Sequence, residues 1–198
     1  PTEVTSQDGK NVSDSRRKLS KLGFKNSGAQ MLPKGSVILT SRASVGFVAI
    51  SGIDLCTNQG FQSLVPKNSV VAEFLMFWIQ QNRPEFESRS AGSTFKEISK
   101  SNVKSIKLQL PSLPEQKRIV DLISSVDSYA EALQQQLESA KRSRNAVLHE
   151  LLTASGDDWE YKTLSEICEV RDGTHNSPRP SAEGFALVTS KNIKDGRL

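Results

Sequence analysis

The rhythm of apolar and polar positions changes along the chain, and the changes divide it. Residues 1–30 are polar, rich in Ser, Lys, Asn and Gly, and predict loop with one short helical turn. Leu32-Pro33-Lys34-Gly35 predicts a turn, because proline presets one dihedral and glycine accepts the unusual next one. Short runs rich in Val, Ile and Phe follow at 36–40, 47–50 and 61–65, with Gly or Asn between them, and predict strands. Residues 70–82 predict a buried helix ended by Pro84. At 104–110, Ile106, Leu108 and Leu110 alternate with Lys107 and Gln109, the pattern of a half-buried strand. This part reads as a mixed domain of short strands with one internal helix.

The period then changes from two to seven. Pro111 and Pro114 stop the strand, and the second opens a helix at its first position. From Glu115 to about Ala154 there is no Pro or Gly, and good helix formers dominate. Ile119, Val126, Leu133, Ala140 and Val147 recur every seven residues; Ile123, Ala130, Leu137 and Leu151 form a second series, with Arg144 in its remaining slot. Both series share one helix face, which argues a left-handed supercoil with a partner helix. Some 40 residues at 1.5 Å each span roughly 60 Å. The competing reading lays the stripe on the core of its own domain, but a rod of that length overhangs it.

Residues 155–158 close the helix with a glycine and a polar turn. Beyond them, 159–162 predicts a short strand, 164–167 a helical turn, 171–180 a loop by its Gly and Pro, and 185–189 another strand. The end of the chain echoes its beginning: Asp195-Gly196-Arg197-Leu198 resembles Asp8-Gly9-Lys10-Asn11-Val12.

Composition narrows the chemistry. A chain of 198 residues allows one domain, or one domain and a substantial extra element. The longest apolar run, 74–79, is far too short to cross a bilayer, and no secretory signal is visible. A chain that begins at Pro1 is open to a processed, trimmed or tagged start. Cys56 and Cys168 make no disulfide framework and suggest a reducing compartment. His149 and His175 lack the paired spacing of a structural zinc site, so no metal or cofactor is expected. The phosphate cradles, the dinucleotide turn and the nucleophile elbow are missing, which weighs against an enzyme. Net charge is +4, distributed as +7 over 1–110, −3 over 111–158 and 0 over 159–198. The positive charge sits where a polyanion-binding face would need it.

Several segments together resemble the DNA specificity subunit of type I restriction–modification systems. They are residues 32–46 (Leu-Pro-Lys-Gly-Ser-Val-Ile-Leu-Thr-Ser-Arg-Ala-Ser-Val-Gly), Thr57-Asn58-Gln59-Gly60-Phe61, and residues 92–99 (Gly-Ser-Thr-Phe-Lys-Glu-Ile-Ser). Leu110-Pro111-Ser112-Leu113-Pro114-Glu115-Gln116 opens the long helix, Leu148-His149-Glu150-Leu151-Leu152-Thr153 ends it, and 159–167 resembles the start of a recognition domain. The order holds over nearly the whole chain. The resemblance implies an α+β fold: a mixed target recognition domain plus one long coiled-coil spacer helix. Such subunits carry two recognition domains, each followed by a long helix, the helices packing antiparallel. Each domain reads half of a bipartite target in double-stranded DNA, and the subunit docks methyltransferase (modification) subunits and, through them, restriction subunits. The subunit itself is non-catalytic, and its setting is the prokaryotic cytoplasm. Here 1–110 matches the larger part of a recognition domain, 111–155 the spacer, and 156–198 the start of another, completing the first if the chain is permuted. A truncated or circularly permuted half acting as a homodimer fits this order. A coiled-coil scaffold without DNA contact is the alternative.

The chemistry of duplex reading then selects candidates. Arg16, Arg17, Lys18, Lys21 and Lys25 form a basic loop suited to phosphates, or simply a solvated surface. Arg42 suits guanine, or a carboxylate such as Asp54. Asn58 and Gln59 have the amides that read adenine, but tying a tight turn explains them as well. Ser93, Thr94 and Lys96 follow a glycine in a loop near the backbone. Thr174, His175 and Lys191 are candidates in the tail, His175 as a phosphate or base contact and not a metal ligand. His149 is a helix-end residue. Phe74, Phe77 and Trp78 are core, or a rim that docks a methyltransferase.

Overall fold

The computed structural model describes residues 2–6, 8–92, 96–154, 156, 158–173, 183–185 and 187–189. Contacts divide the chain into two units, Pro1–Lys141 and Arg142–Leu198. The first holds a four-stranded sheet of β1 (Asn11–Val12), β2 (Val37–Thr40), β3 (Val48–Ser51) and β4 (Phe61–Leu64), in the order β1-β3-β2-β4. β2 runs antiparallel to both neighbours, with Ile38 opposite Ala49 and Ser63; β1 is parallel to β3.

β2 and β3 are buried without interruption because both faces of the sheet are covered. Successive strand side chains point to opposite faces. Val37 and Leu39 join one cluster with Val45, Met76, Ile79, Phe86 and Ile98. Ile38 joins the other with Val4, Val12 and Ala49. The second cluster needs two head elements, α1 (Thr2–Thr5), which supplies Val4, and β1, which supplies Val12; the polar sequence of 1–30 predicted one helical turn without placing it, and no strand. Each offers a single apolar side chain, too little to show as periodicity.

α3 (Ala72–Gln81) follows the sheet, and α4 (Arg83–Ser88) follows almost at once. Pro84 therefore begins a helix as well as ending one, since its missing N–H is harmless in the first turn. Phe74 is buried, whereas Phe77 and Trp78 are half-buried against the core, with Trp78 edge-on to Phe86 at 6.2 Å. The expected strand at 104–110 does not form. α5 (Lys100–Ser105) occupies its start, with Ser99 Oγ accepting the Asn102 N–H at 3.1 Å, and the rest is extended chain that pairs with no strand. Its alternation still tracks burial in part, with Ile106 on the core and Leu108 half-buried while Lys107 and Gln109 are exposed, but among the described residues no sheet edge meets it and Leu110 stays exposed.

α6 (Leu113–Thr153) is one helix of 41 residues. Its root is fixed by a side chain that propensity does not explain. Gln116 is wholly buried. Its Oε1 accepts the Val71 N–H at 2.8 Å, and its Nε2 donates to the carbonyls of Ser69 at 3.0 Å and Pro111 at 2.8 Å. Three backbone groups in a partly buried setting are thus bonded by one amide.

In the second unit, α7 (Leu164–Ile167) is the expected helical turn, opened by Glu166 accepting the Thr163 N–H at 2.6 Å. That bond, with a second from the Thr163 hydroxyl, holds the Glu166 carboxyl below the usual range. The described residues of 159–162 and 185–189 form no strand, so both strand expectations there are corrected. No partner strand meets them among the described residues, and a lone strand is not stable in water.

Candidate nucleic-acid interface

Around β2 and β3 a half-buried arginine shapes the turn that carries Arg42. Arg83 pairs with Asp8, donates to the Gly46 carbonyl at 3.2 Å, and lies 4.0 Å over the Phe47 ring. Asp8 also accepts the Val48 N–H at 3.0 Å. Gly46 has φ +90°, and a Cβ there would meet Arg83 Cγ at 2.6 Å, so only glycine lets the guanidinium in this close. At the other end, Thr40 Oγ1 donates to the Ser44 carbonyl and accepts the Phe47 N–H at 3.0 Å. Between them Ala43 adopts φ 65°, a conformation strained for a residue with a Cβ. The result is a rigid turn that presents Arg42 and Ser44 to solvent.

Arg42 does hold a carboxylate, but it belongs to Glu97 and not to Asp54. The Nε–Oε2 distance is 3.7 Å, and both side chains are half exposed. Asp54 instead accepts the Lys34 N–H at 2.8 Å. A loose exposed pair of this kind contributes at most about 1 kcal/mol, so the guanidinium is only weakly held. Backbone bonds from Ala43 N–H to the Lys96 carbonyl and from Ile98 N–H to the Ser41 carbonyl, each 2.9 Å, set exposed Lys96 beside this turn.

The basic segment is more ordered than a bare loop. Lys18 bonds Asp14 at 2.9 Å, and that hydrogen bond holds the Asp14 carboxyl below the usual carboxylate range. Ser20 Oγ accepts the Gly23 N–H at 3.0 Å and opens α2 (Lys21–Lys25). Arg16, Arg17, Lys21 and Lys25 are all exposed. Asn58 accepts the Gly60 N–H at 3.0 Å, tying its own tight turn, whereas Gln59 is exposed. Ser93, Thr94, Thr174, His175 and Lys191 lie outside the described residues. Lys100, Lys104 and Lys107 were not among the expected contacts, yet all three are exposed. Their spacing, with no acid among residues 98–107, was the available signal.

The heptad face behaves differently along its length. Ile119 and Ile123 are half-buried near the root. Val126, Ala130, Leu133, Leu137, Ala140, Val147 and Leu151 are all exposed. Leu133 and Leu137 are 47% and 50% exposed, so the stripe does not lie on its own core. Among the described residues no group of three His, Cys, Asp or Glu side chains is placed to hold a metal ion, and no helix is long and apolar enough to cross a membrane.

Known proteins resemble this arrangement. The family model described as type I restriction modification DNA specificity domain matches residues 3–142. The type I restriction enzyme MjaIX specificity subunit of Methanocaldococcus jannaschii is 31% identical over 188 residues, covering 85% of this chain and 43% of that protein. The chain thus spans less than half the length of this curated relative. Among solved structures, a chain of a type I R-M system aligns at TM-score 0.52 and 26% identity, over 61% of this chain and 31% of its own length. The HsdS subunit from Thermoanaerobacter tengcongensis shares the fold, with TM-score 0.50 and 24% identity over 61% of this chain and 30% of that one.

Proposed function

This chain belongs to the type I restriction–modification DNA specificity family, and on that premise we propose that it reads duplex DNA while other polypeptides supply the catalysis. Residues 1–110 act as the reader, 111–155 as the spacer, and 156–198 as the start of a recognition domain. The observation that carries this reading is the long helix. Gln116 roots it in the sheet domain, yet its apolar face stands open to solvent for most of its length. Such a rod holds a reader at a fixed distance from whatever pairs with it.

A second copy of the chain fits that face. In an antiparallel pair centred on Gln135, Leu133 meets Leu137 of the partner subunit, and Ala130 meets Ala140 of the partner subunit. Ile123 meets Val147 of the partner subunit, and Ile119 meets Leu151 of the partner subunit. Arg144 then lies against Val126 of the partner subunit, beside Asp127 of the partner subunit. Large faces large, small faces small, and the one charged core position finds a carboxylate. In a parallel pair two Arg144 side chains would meet in the core. The homodimer would carry two readers related by two-fold symmetry and so address both halves of a bipartite target. Methyltransferase subunits, and restriction subunits through them, are the partners this assembly would serve.

Gel shift of the chain with pooled random duplex at low salt tests the DNA reading, and no shift at any concentration would overturn it. Sedimentation tests the pairing: a dimer is expected, and a strict monomer at high concentration refutes it.

A further inference from the structure

Charges along α6, and at the end of α4, follow a stabilising pattern. Glu85 with Arg89, Glu115 with Arg118, and Glu138 with Lys141 are opposite charges three or four residues apart. Two short helices do the reverse. α2 places Lys21 and Lys25 four apart, within the basic segment described above. α5 places Lys100 and Lys104 four apart, with no acidic residue in its first turn. Lys100 also sits at the helix start, where the dipole disfavours a cation.

α5 is nevertheless firmly held. Asn102 Nδ2 donates to the Arg89 carbonyl at 2.8 Å, and Arg89 Nη1 donates to Ser105 Oγ at 3.2 Å. Val103 packs on the main core cluster. The inward face is therefore fixed, and Lys100 and Lys104 are exposed. Lys107, just past the helix, and Lys96, just before its cap, are exposed too. Among the described residues none of these four lysines has a carboxylate within 4.0 Å. The adjacent acid, Glu97, faces Arg42. A track of cations thus runs from the Arg42 turn through Lys96 to α5.

Like charges fixed on an ordered element, without internal neutralisation, suit an external polyanion. Lysine serves phosphate as a compact point charge. We propose that Lys96, Lys100, Lys104 and Lys107 form a second phosphate-binding row, on a rigid helix, that sets the register of the recognition domain on duplex DNA. This rests on the DNA reading above, and it assigns contacts that the basic segment alone does not supply. Register requires a contact that does not move relative to the sheet, which α5 provides through Arg89 and Val103.

The test uses the full chain and a pooled random-sequence duplex, with affinity followed across salt concentration. K100Q/K104Q/K107Q keeps helix propensity while removing charge. Its slope of log K against log salt should become shallower by about 3, each lost phosphate contact contributing about 0.9. The melting temperature should not fall, because like charges have been removed. Lysine acetylation read by mass spectrometry gives a second measure: Lys100, Lys104 and Lys107 should be protected by duplex. A native slope in the variant, or equal reactivity with and without duplex, overturns the row while leaving the DNA reading intact. A native chain that binds no duplex overturns both.

Discussion

The sheet domain and the long helix solve the same problem in opposite ways. Both are rich in apolar side chains at regular spacing. In the sheet, Ile38 and Leu39 leave at most 2% of their surface exposed, because elements arrive on both faces to cover them. In α6, Leu133 and Leu137 stay about half exposed, left uncovered by the described residues. Apolar periodicity states that a face requires cover. Whether the cover is internal or external depends on reach, and a rod of roughly 60 Å exceeds what one small domain can cover.

That contrast can be broken at its strongest point first. L133E/L137E puts two charges into the open face and should convert a dimer into monomers in sedimentation, while circular dichroism shows the sheet domain still folded. Unchanged assembly would mean that the stripe is not the pairing surface. The next effect falls at the junction of the two regions. Q116A removes the buried amide that bonds Val71, Ser69 and Pro111, and should cost about 2 kcal/mol in urea unfolding, as three partly buried hydrogen bonds are lost. A midpoint within error of the native chain would show that water replaces the amide.

A smaller effect, confined to binding, comes from the exposed basic segment. R16A/R17A/K18A should leave the urea midpoint unchanged and flatten the salt slope of duplex binding by about 3. The native slope would remove the segment from the interface. The smallest effect concerns Asp14, whose carboxyl lies below its usual range because of the bond from Lys18. A depressed carboxyl stabilises above its unfolded pKa, and that support is lost as pH falls through the folded value. Since the pair is exposed, D14N should barely move the acid unfolding curve, and should tighten duplex binding slightly by freeing Lys18. Weaker binding by D14N would mean that the pair orients Lys18 for its contact.

Much of this was readable in the chain. Runs of Val and Ile marked β2 and β3, Pro114 marked the helix start, and the seven-residue spacing marked the helix face. The misses share a cause. α1 and β1 each contribute one apolar side chain, so neither produces a period. The strand expected at 104–110 had the right alternation but no edge to pair with. Arg42 could be seen to seek an acid, but Glu97, far along the chain, is the one that a backbone bridge brings near.

Local order in the sequence was enough to determine the central strands, the long helix, its heptad face and the basic character of the first 110 residues, because each depends on neighbours within a few positions. The tertiary structure decided which acid met Arg42, how Arg83 wedged beside Gly46, and why Gln116 is buried. Those outcomes depend on groups brought together from 37 to 75 residues apart, and only closing the chain around a shared core makes them neighbours.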